Sequence, residues 1–338
     1  MQFLIWANRT WTRAEMHWDV IIPILFGIGL VLWLVLVYAR GKFRLLPSFA
    51  IARVTVLDSI MRLEVIFLLI IGILLVGVFG FNLFSPQTRN LLIKSTIVQG
   101  RFTDITGGTN MELTQLEKEK SLCDLLVQAA LLMAEFFVAI IGFVLSMFLL
   151  PGEINRGVIL SILPKPLTRG EYVFGKFLGT WMIVTGCFFV LALELLGIQA
   201  IFYSSRGLSA INWHLLKAMA LFPFKYATLV LVIMGLTLRF PEAVAGIVGI
   251  GIFIGGHFAE KIYDLSRDFA DSPIFVYAFK FAYYILPHLT EAFSVNILDK
   301  NADALISWPT VFGWLWQIMV YNCLLLWLLT WLFKRRSL

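Results

Sequence analysis

A glycine-containing stretch, GEYVFGK at residues 170–176, has the spacing of a phosphate-binding loop. In such a loop the backbone cradles phosphates, the lysine neutralises them, and a following Ser or Thr hydroxyl binds magnesium. Here Phe177 stands where that hydroxyl is needed, and no strand is predicted before the stretch. Bulky residues within it would also keep a phosphate at a distance. We therefore expect no nucleotide site and no ATPase activity in this chain alone.

Histidines are the other residues with obvious catalytic or metal-binding chemistry. They are His17, His214, His257 and His288, and His257 has an acidic residue, Glu260, one helical turn away. Two donors are too few for a metal site, so none is predicted. An intramembrane protease or transferase is kept as an alternative function, although no HExxH or paired-aspartate motif is present. A secondary transporter is the other alternative, although no internal repeat is visible.

The composition places the chain in a lipid bilayer. Hydrophobic residues make up 60% of the 338 residues and charged residues 14%, whereas a soluble domain carries about a quarter charged residues. Apolar segments of suitable length predict an all-α integral membrane protein, a polytopic bundle of about seven transmembrane helices. The predicted spans are Asp19–Tyr38, Val65–Phe84, Leu125–Leu150, Phe177–Tyr203, Phe222–Leu238, Ala243–His257 and Thr310–Phe333.

The sixth span is short, and a re-entrant segment is the alternative interpretation there. Its Gly251 and Gly255 have the small-xxx-small spacing that favours close helix packing.

Basic residues set the predicted orientation. When Lys334-Arg335-Arg336 is cytoplasmic, seven spans put the N-terminus outside, and the cytoplasmic segments become richer in Lys and Arg than the outer ones. The expected location is the cytoplasmic or inner membrane.

Residues 47–64 are predicted to form an amphipathic helix at the cytoplasmic interface. Pro47-Ser48 is typical of a helix start. Apolar and polar residues then follow separate helical stripes. The apolar stripe contains Ala50, Val54, Leu57 and Met61, and the other contains Thr55, Asp58, Ser59 and Arg62. Such a helix lies in the interface before the chain turns into the bilayer, with a simple extension of the second span as the alternative.

Two charged residues, Glu135 and Lys225, stand inside predicted spans. At 1.5 Å per residue, Glu135 lies about 24 Å above Pro151 and Lys225 about 21 Å above Arg239. An intramembrane charge is costly and usually faces a partner or a water-filled cavity. We expect the two to pair, within one chain or across a dimer. The alternative is that Lys225 extends outward while Glu135 is protonated or hydrogen-bonded alone.

The cytoplasmic segment 151–176 is dense in charge, glycine and proline. Pro151-Gly152 is expected to end the third span, and Glu153–Leu163 can form a short helix that the following prolines stop. A short helix held between two spans can transmit displacement, which indicates a docking surface for a cytoplasmic partner. An ordinary basic loop is the alternative.

The next helix has its own start signal. Thr168 and Glu171 match a capping box, in which each side chain bonds to the backbone of the other residue. Gly175 and Gly179 lie one turn apart and would let that helix approach a neighbour closely.

This pattern resembles the cytoplasmic signature of permease subunits of ABC transporters, in the type-2 exporter family. That signature reads approximately E…G…L-x-KP-[ST]-R-x-E…GK…G. The matching residues are Glu153, Gly157, Leu163, Lys165, Pro166, Thr168, Arg169, Glu171, Gly175, Lys176 and Gly179. Weaker likenesses at residues 50–69, 283–293 and 333–336 extend the match to about residues 47–338.

The resemblance implies a half-transporter that is not itself an enzyme. Two permease chains, identical or different, would pair, and separate ATPase subunits that hold ATP and magnesium would bind below them. Glu153–Leu163 would be the coupling helix that sits in the ATPase. The docking residues implied are Glu153, Ile154, Arg156, Gly157, Lys165, Arg169 and Glu171.

Three further regions have implied roles. The outer segment 260–308 would dip partway into the membrane and gate the exit. Residues 1–46 add a seventh helix ahead of the six-helix core at 47–338. Residues 101–119 resemble an insertion in an outer loop that is usually short.

Overall fold

A computed structural model describes residues 45–85, 87, 90, 115–155, 168–205, 213–257, 273–285 and 308–335. Within these ranges the chain is helical and contains no strand, which confirms the expected all-α fold there. The helices are α1 Leu45–Ile60, α2 Leu63–Phe84, α3 Gln115–Asn155, α4 Arg169–Ser204, α5 Trp213–Thr237, α6 Glu242–His257, α7 Pro273–Ile285 and α8 Trp308–Arg335. The predicted span Asp19–Tyr38 lies outside the described residues.

The other predicted spans coincide with helices α2 to α6 and α8. Three stretches are long and apolar enough to cross a membrane: Ala129–Leu149 in α3, the whole of α4, and Leu315–Arg335 in α8. The bent pair of α1 and α2 is a fourth candidate, while α5 and α6 contain shorter apolar stretches. The described residues therefore support three or four spans by length and composition, and the number seven stays a prediction.

Helices α1 and α2 have the arrangement expected of an interfacial helix that turns into the bilayer. Their axes differ in direction by 68° across a short break. Val54 and Leu57 are exposed, whereas Thr55 and Ser59 are completely buried. A helix next to lipid can expose apolar side chains without cost, so the small polar stripe is the one that packs against the protein.

Helix α3 extends beyond the predicted third span at both ends. It begins at Gln115, because the sequence QLEKEK consists largely of strong helix formers. At the other end, the expected termination at Pro151-Gly152 is wrong, since the helix continues to Asn155. A proline removes one backbone hydrogen bond, yet the residues after it remain free to adopt helical dihedral angles.

Helices α4 and α5 form the centre of the bundle. Helix α4 packs against α1, α2, α3, α5 and α8, and α5 packs against α3, α4, α6 and α8. Phe188 of α4 and Tyr226 of α5 are fully buried between them, with ring centroids 5.5 Å apart. Among the described helices, α4 therefore packs against five others and α5 against four.

Helix α7 lies within residues 260–308, the segment that the sequence predicts to be on the outer side. Its bounds, Pro273–Ile285, nearly match the stretch from Phe275 to Leu286 that is apolar and aromatic in sequence. Tyr277 and Phe281, one turn apart, are both exposed. The helix itself is present, and the partial entry into the membrane stays a prediction.

Candidate functional site

Glu135 of α3 and Lys225 of α5 form an ion pair inside the bundle. Their side chains are only 6% and 2% exposed, respectively. The Lys225 ammonium lies 5.5 Å from the centroid of the Phe222 ring, and the next residue, Tyr226, is fully buried. The pairing expected from their similar depth is therefore present within one chain.

The energetic consequence of this pairing is large. A lone charge in the middle of a bilayer costs about 2.5–3.5 kcal/mol on insertion scales. Aromatic rings pack beside Lys225, because Phe222 lies next to its ammonium and Phe188 of α4 stacks on Phe222 with their centroids 4.7 Å apart. In such surroundings each charge depends on the other for compensation, so the pair holds α3 against α5.

Three hydrogen bonds join α5 to other helices next to this pair. The indole Nε1 of Trp181, on α4, donates to the carbonyl oxygen of Pro223 at 2.6 Å. The amide Nδ2 of Asn322, on α8, donates to the carbonyl oxygen of Phe224 at 2.8 Å. The hydroxyl of Thr228 donates to Oδ1 of the same Asn322 at 2.7 Å, which orients that amide.

The sequence did not lead us to predict these hydrogen bonds. An asparagine within an apolar span is a recognised cue for an interhelical hydrogen bond, so Asn322 could have been flagged. Trp181 gave no comparable cue, because tryptophan is common in membrane helices.

The capping box at the start of α4 is confirmed. The backbone N–H of Glu171 donates to the Thr168 hydroxyl at 3.3 Å, and the backbone N–H of Thr168 donates to Oε2 of Glu171 at 2.8 Å. Glu171 is 1% exposed. This placement does not fit the docking role expected for Glu171, because its carboxylate is turned inward to anchor the helix.

The first turns of α4 lie in close contact with α1. A Cβ atom on Gly175 would come within 2.7 Å of the Ser48 carbonyl oxygen, and one on Gly179 within 2.6 Å of the Thr55 Cβ. The Ser48 hydroxyl also donates to the carbonyl oxygen of Glu171 at 3.1 Å. Both positions therefore require glycine for the two backbones to approach this closely.

The same turns contact the end of α8. The ring of Tyr172 stacks on that of Phe333, with centroids 6.1 Å apart. Arg169 donates from its guanidinium to the carbonyl oxygen of Lys334 at 3.3 Å. The beginning of α4 is thus attached both to α1 and to the last turns of α8.

The remaining docking residues are described only in part. Glu153 and Ile154 lie in the last turn of α3, which continues from the third span without a break. Arg156, Gly157 and Lys165 lie outside the described residues. The docking role of this set therefore stays a prediction.

The stretch that resembles a phosphate loop is part of a helix. Residues 170–176 belong to the first turns of α4, so their backbone N–H groups do not form a phosphate cradle. Lys176 is 5% exposed and lies 5.9 Å from the centroid of the Tyr172 ring. The stretch therefore has the conformation of a helix and not of a phosphate-binding loop, and the absence of a nucleotide site stays a prediction.

The glycines of α6 differ in their surroundings. A Cβ on Gly246 would approach Phe143 of α3, and one on Gly249 would approach Ile233 of α5, each within 2.8 Å. A Cβ on Gly251 would meet no atom within 4 Å among the described residues, and Gly255 is only partly buried. Packing through Gly251 and Gly255 stays a prediction, whereas Gly246 and Gly249 do allow α6 to pack closely against α3 and α5.

Comparison with known proteins agrees with this architecture. No curated protein sequence matches the chain. The sequence model of one family, described as ABC-2 family transporter protein, matches residues 49–254, which is more than half of the chain. The match extends from α1 to α6 and includes both the start of α4 and the buried ion pair. The resemblance seen in the sequence is thereby confirmed, and the chain belongs to the ABC-2 family of transporter proteins.

Proposed function

We propose that this chain is the membrane-spanning permease subunit of an ATP-driven ABC exporter. Membership of the ABC-2 family makes it a membrane permease of an ABC transporter. The finer assignment is that it forms the translocation path and is driven by a separate ATPase subunit bound to its cytoplasmic side. That subunit would hold ATP and magnesium, and two permease chains would pair above two such subunits.

The observation that carries this proposal is the attachment of the cytoplasmic segment 151–176 at both ends. Its first residues continue α3, and its last residues begin α4. The start of α4 is fixed by the capping box, by close packing on Ser48 and Thr55, and by the ring of Phe333. A partner that displaces the segment would therefore move α1, α3, α4 and α8 together. Coupling of this kind needs a structural element with two states, and nucleotide binding must stabilise one state more than the other.

The proposed topology places these contacts on the cytoplasmic side. The extra N-terminal helix and the six-helix core give seven spans, with the N-terminus outside and the C-terminus in the cytoplasm. The basic last turn of α8, with Lys334 and Arg335, supports this orientation. The outer segment that contains α7 would line the exit from the pathway.

The test is affinity purification of the tagged chain from its native membranes, with mass spectrometry and ATP hydrolysis as readouts. We expect a protein with a nucleotide-binding domain to co-purify and to hydrolyse ATP. Glu153→Ala should reduce the amount of ATPase recovered while the permease is expressed normally, because the proposed docking pairs Glu153 with a basic group of the partner. Gly157→Leu should act in the same direction by preventing close approach.

A matched control is Glu242→Ala, which removes a carboxylate from the first turn of α6, outside the docking segment. This variant should retain the ATPase fully. If Glu153→Ala binds its ATPase as tightly as the unmodified chain, docking through this residue is wrong. If no ATPase is recovered with the unmodified chain, the proposed coupling to a separate ATPase subunit is wrong.

A further inference from the structure

Three consecutive residues of α5 are attached to three different helices. The carbonyl oxygen of Pro223 accepts from Trp181 of α4, and that of Phe224 accepts from Asn322 of α8. The side chain of Lys225 pairs with Glu135 of α3. We name Pro223, Phe224 and Lys225 the pinned turn.

The pinned turn coincides with the weakest point of the α5 backbone. Pro223 lies inside the helix and has no N–H, so the carbonyl of Met219 lacks its usual helical donor. Bends in long helices occur at such positions. Without outside contacts the two halves of α5 would be free to bend here, yet this is where the neighbouring helices hold it.

Lys225 of the pinned turn lies at the same depth as Trp181 and Asn322. At 1.5 Å per residue, Trp181 is about 18 Å from Arg169, Lys225 is about 18 Å from Thr237, and Asn322 is about 20 Å from Arg335. All three distances run from the cytoplasmic ends of the helices. The attachments therefore form a single transverse layer across the bundle.

Breaking these attachments requires a large free energy. The pinned turn is surrounded by buried apolar side chains, including Phe222 and Tyr226, and Lys225 itself is 1% exposed. A polar group separated from its partner in such surroundings finds no water to replace it. Thr228 also constrains the Asn322 side chain. Its hydroxyl donates to Oδ1 of Asn322, which keeps the amide in the orientation that reaches the carbonyl of Phe224.

We infer that the pinned turn is a pivot, a fixed level of the bundle about which the cytoplasmic part of α5 beyond Thr228, residues 229–237, changes its tilt. Trp181 and Asn322 are positioning residues that keep this level in place. The assignment of the tilt to a transport cycle rests on the proposed function, whereas the pivot itself is a property of the chain alone.

The experiment measures hydrogen–deuterium exchange in the purified chain, reconstituted in lipid nanodiscs without any ATPase. Trp181→Phe keeps the ring that stacks on Phe177 but removes the N–H donor. Asn322→Leu removes the other donor. We expect either variant to raise the exchange rate of peptides from residues 221–237 roughly three- to twenty-fold, the range that follows from typical interhelical hydrogen bonds in membranes.

Matched controls separate this effect from general loosening. Trp327→Phe changes a tryptophan of α8 that is 45% exposed and should leave α5 unchanged. Thr228→Val should act like Asn322→Leu, whereas Thr228→Ser should not, because it keeps the hydroxyl. The pivot is refuted if Trp181→Phe leaves the exchange of α5 unchanged, or if exchange rises equally in α3, α4 and α8. Since no ATPase takes part, this result is independent of whether the proposed function holds.

Discussion

The buried ion pair leads to the most quantitative prediction. Glu135→Gln keeps the shape of the side chain but leaves the Lys225 ammonium without its counter-charge, and Lys225→Met does the reverse. With side-chain exposures of 6% and 2%, neither remaining charge can reach bulk water without moving the helix. Removing one partner of a buried pair costs about 3–5 kcal/mol of unfolding free energy. Each single variant should lose about that much.

The double variant distinguishes pairing from two separate effects. Independent losses would add to about 6–10 kcal/mol. If the two groups compensate each other, the double variant carries no buried charge and should lose less than about 3 kcal/mol, the cost of an amide that lacks a full set of partners. The variant is thus expected to be more stable than the sum of the single losses implies.

The assay is equilibrium unfolding in mixed micelles with increasing denaturing detergent, followed by circular dichroism. Glu194→Gln is the matched control, because Glu194 is a partly exposed acid on α4 and its change should cost about 0.5 kcal/mol or less. Charge exchange offers a second route: Glu135→Lys and Lys225→Glu should each impair assembly or transport, and the double exchange should recover part of the loss. Strict additivity in the first series, together with no recovery in the second, would refute the pairing.

Three further predictions concern the end of the bundle at which α4 begins. Gly179→Ala should destabilise the chain by about 1–3 kcal/mol in the same assay, because the new methyl group would overlap α1. The control is Gly186→Ala, whose methyl group would meet no atom within 4 Å among the described residues and which should be neutral or stabilising. Equal effects of the two variants would contradict the close approach of α4 to α1. Thr168→Ala should lower the free energy of unfolding by about 1 kcal/mol, because the helix cap is lost, whereas Thr168→Ser keeps the hydroxyl and should lose much less. Equal stability of the two variants would argue against the cap. The purified chain should hydrolyse no ATP without its partner; hydrolysis that disappears in Lys176→Ala would overturn this prediction.

Several features of the fold followed directly from local sequence signals. The capping box was predictable because it depends on two residues three apart, and Thr168 and Glu171 satisfy it as expected. The turn from α1 into α2 was predictable because separate apolar and polar stripes precede a long apolar run. The ion pair was foreseen from depth alone, since helices of fixed rise convert residue counts into positions along the membrane normal.

Other features depend on tertiary contacts that no local pattern specifies. The acceptors used by Trp181 and Asn322 are backbone carbonyls, which every residue carries, so the sequence does not indicate which of them will be reached. Spacing alone does not distinguish the glycines of α6 either: Gly249 contacts Ile233, while Gly251 faces open space among the described residues. The continuation of α3 beyond Pro151 was missed because a proline weakens a helix without always ending it.

The central claim is that a separate ATPase subunit docks on the cytoplasmic segment between α3 and α4. Its most direct test places a photo-cross-linking amino acid at position 157 in the membrane-embedded chain and identifies the captured protein by mass spectrometry. A probe at Ile201, which is 61% exposed near the opposite end of α4, is the control. The account predicts a cross-link from position 157 to a protein with a complete phosphate-binding loop, and none from position 201 to that protein. Capture of the same ATPase at position 201 but not at position 157, or no ATPase at either position, would contradict it.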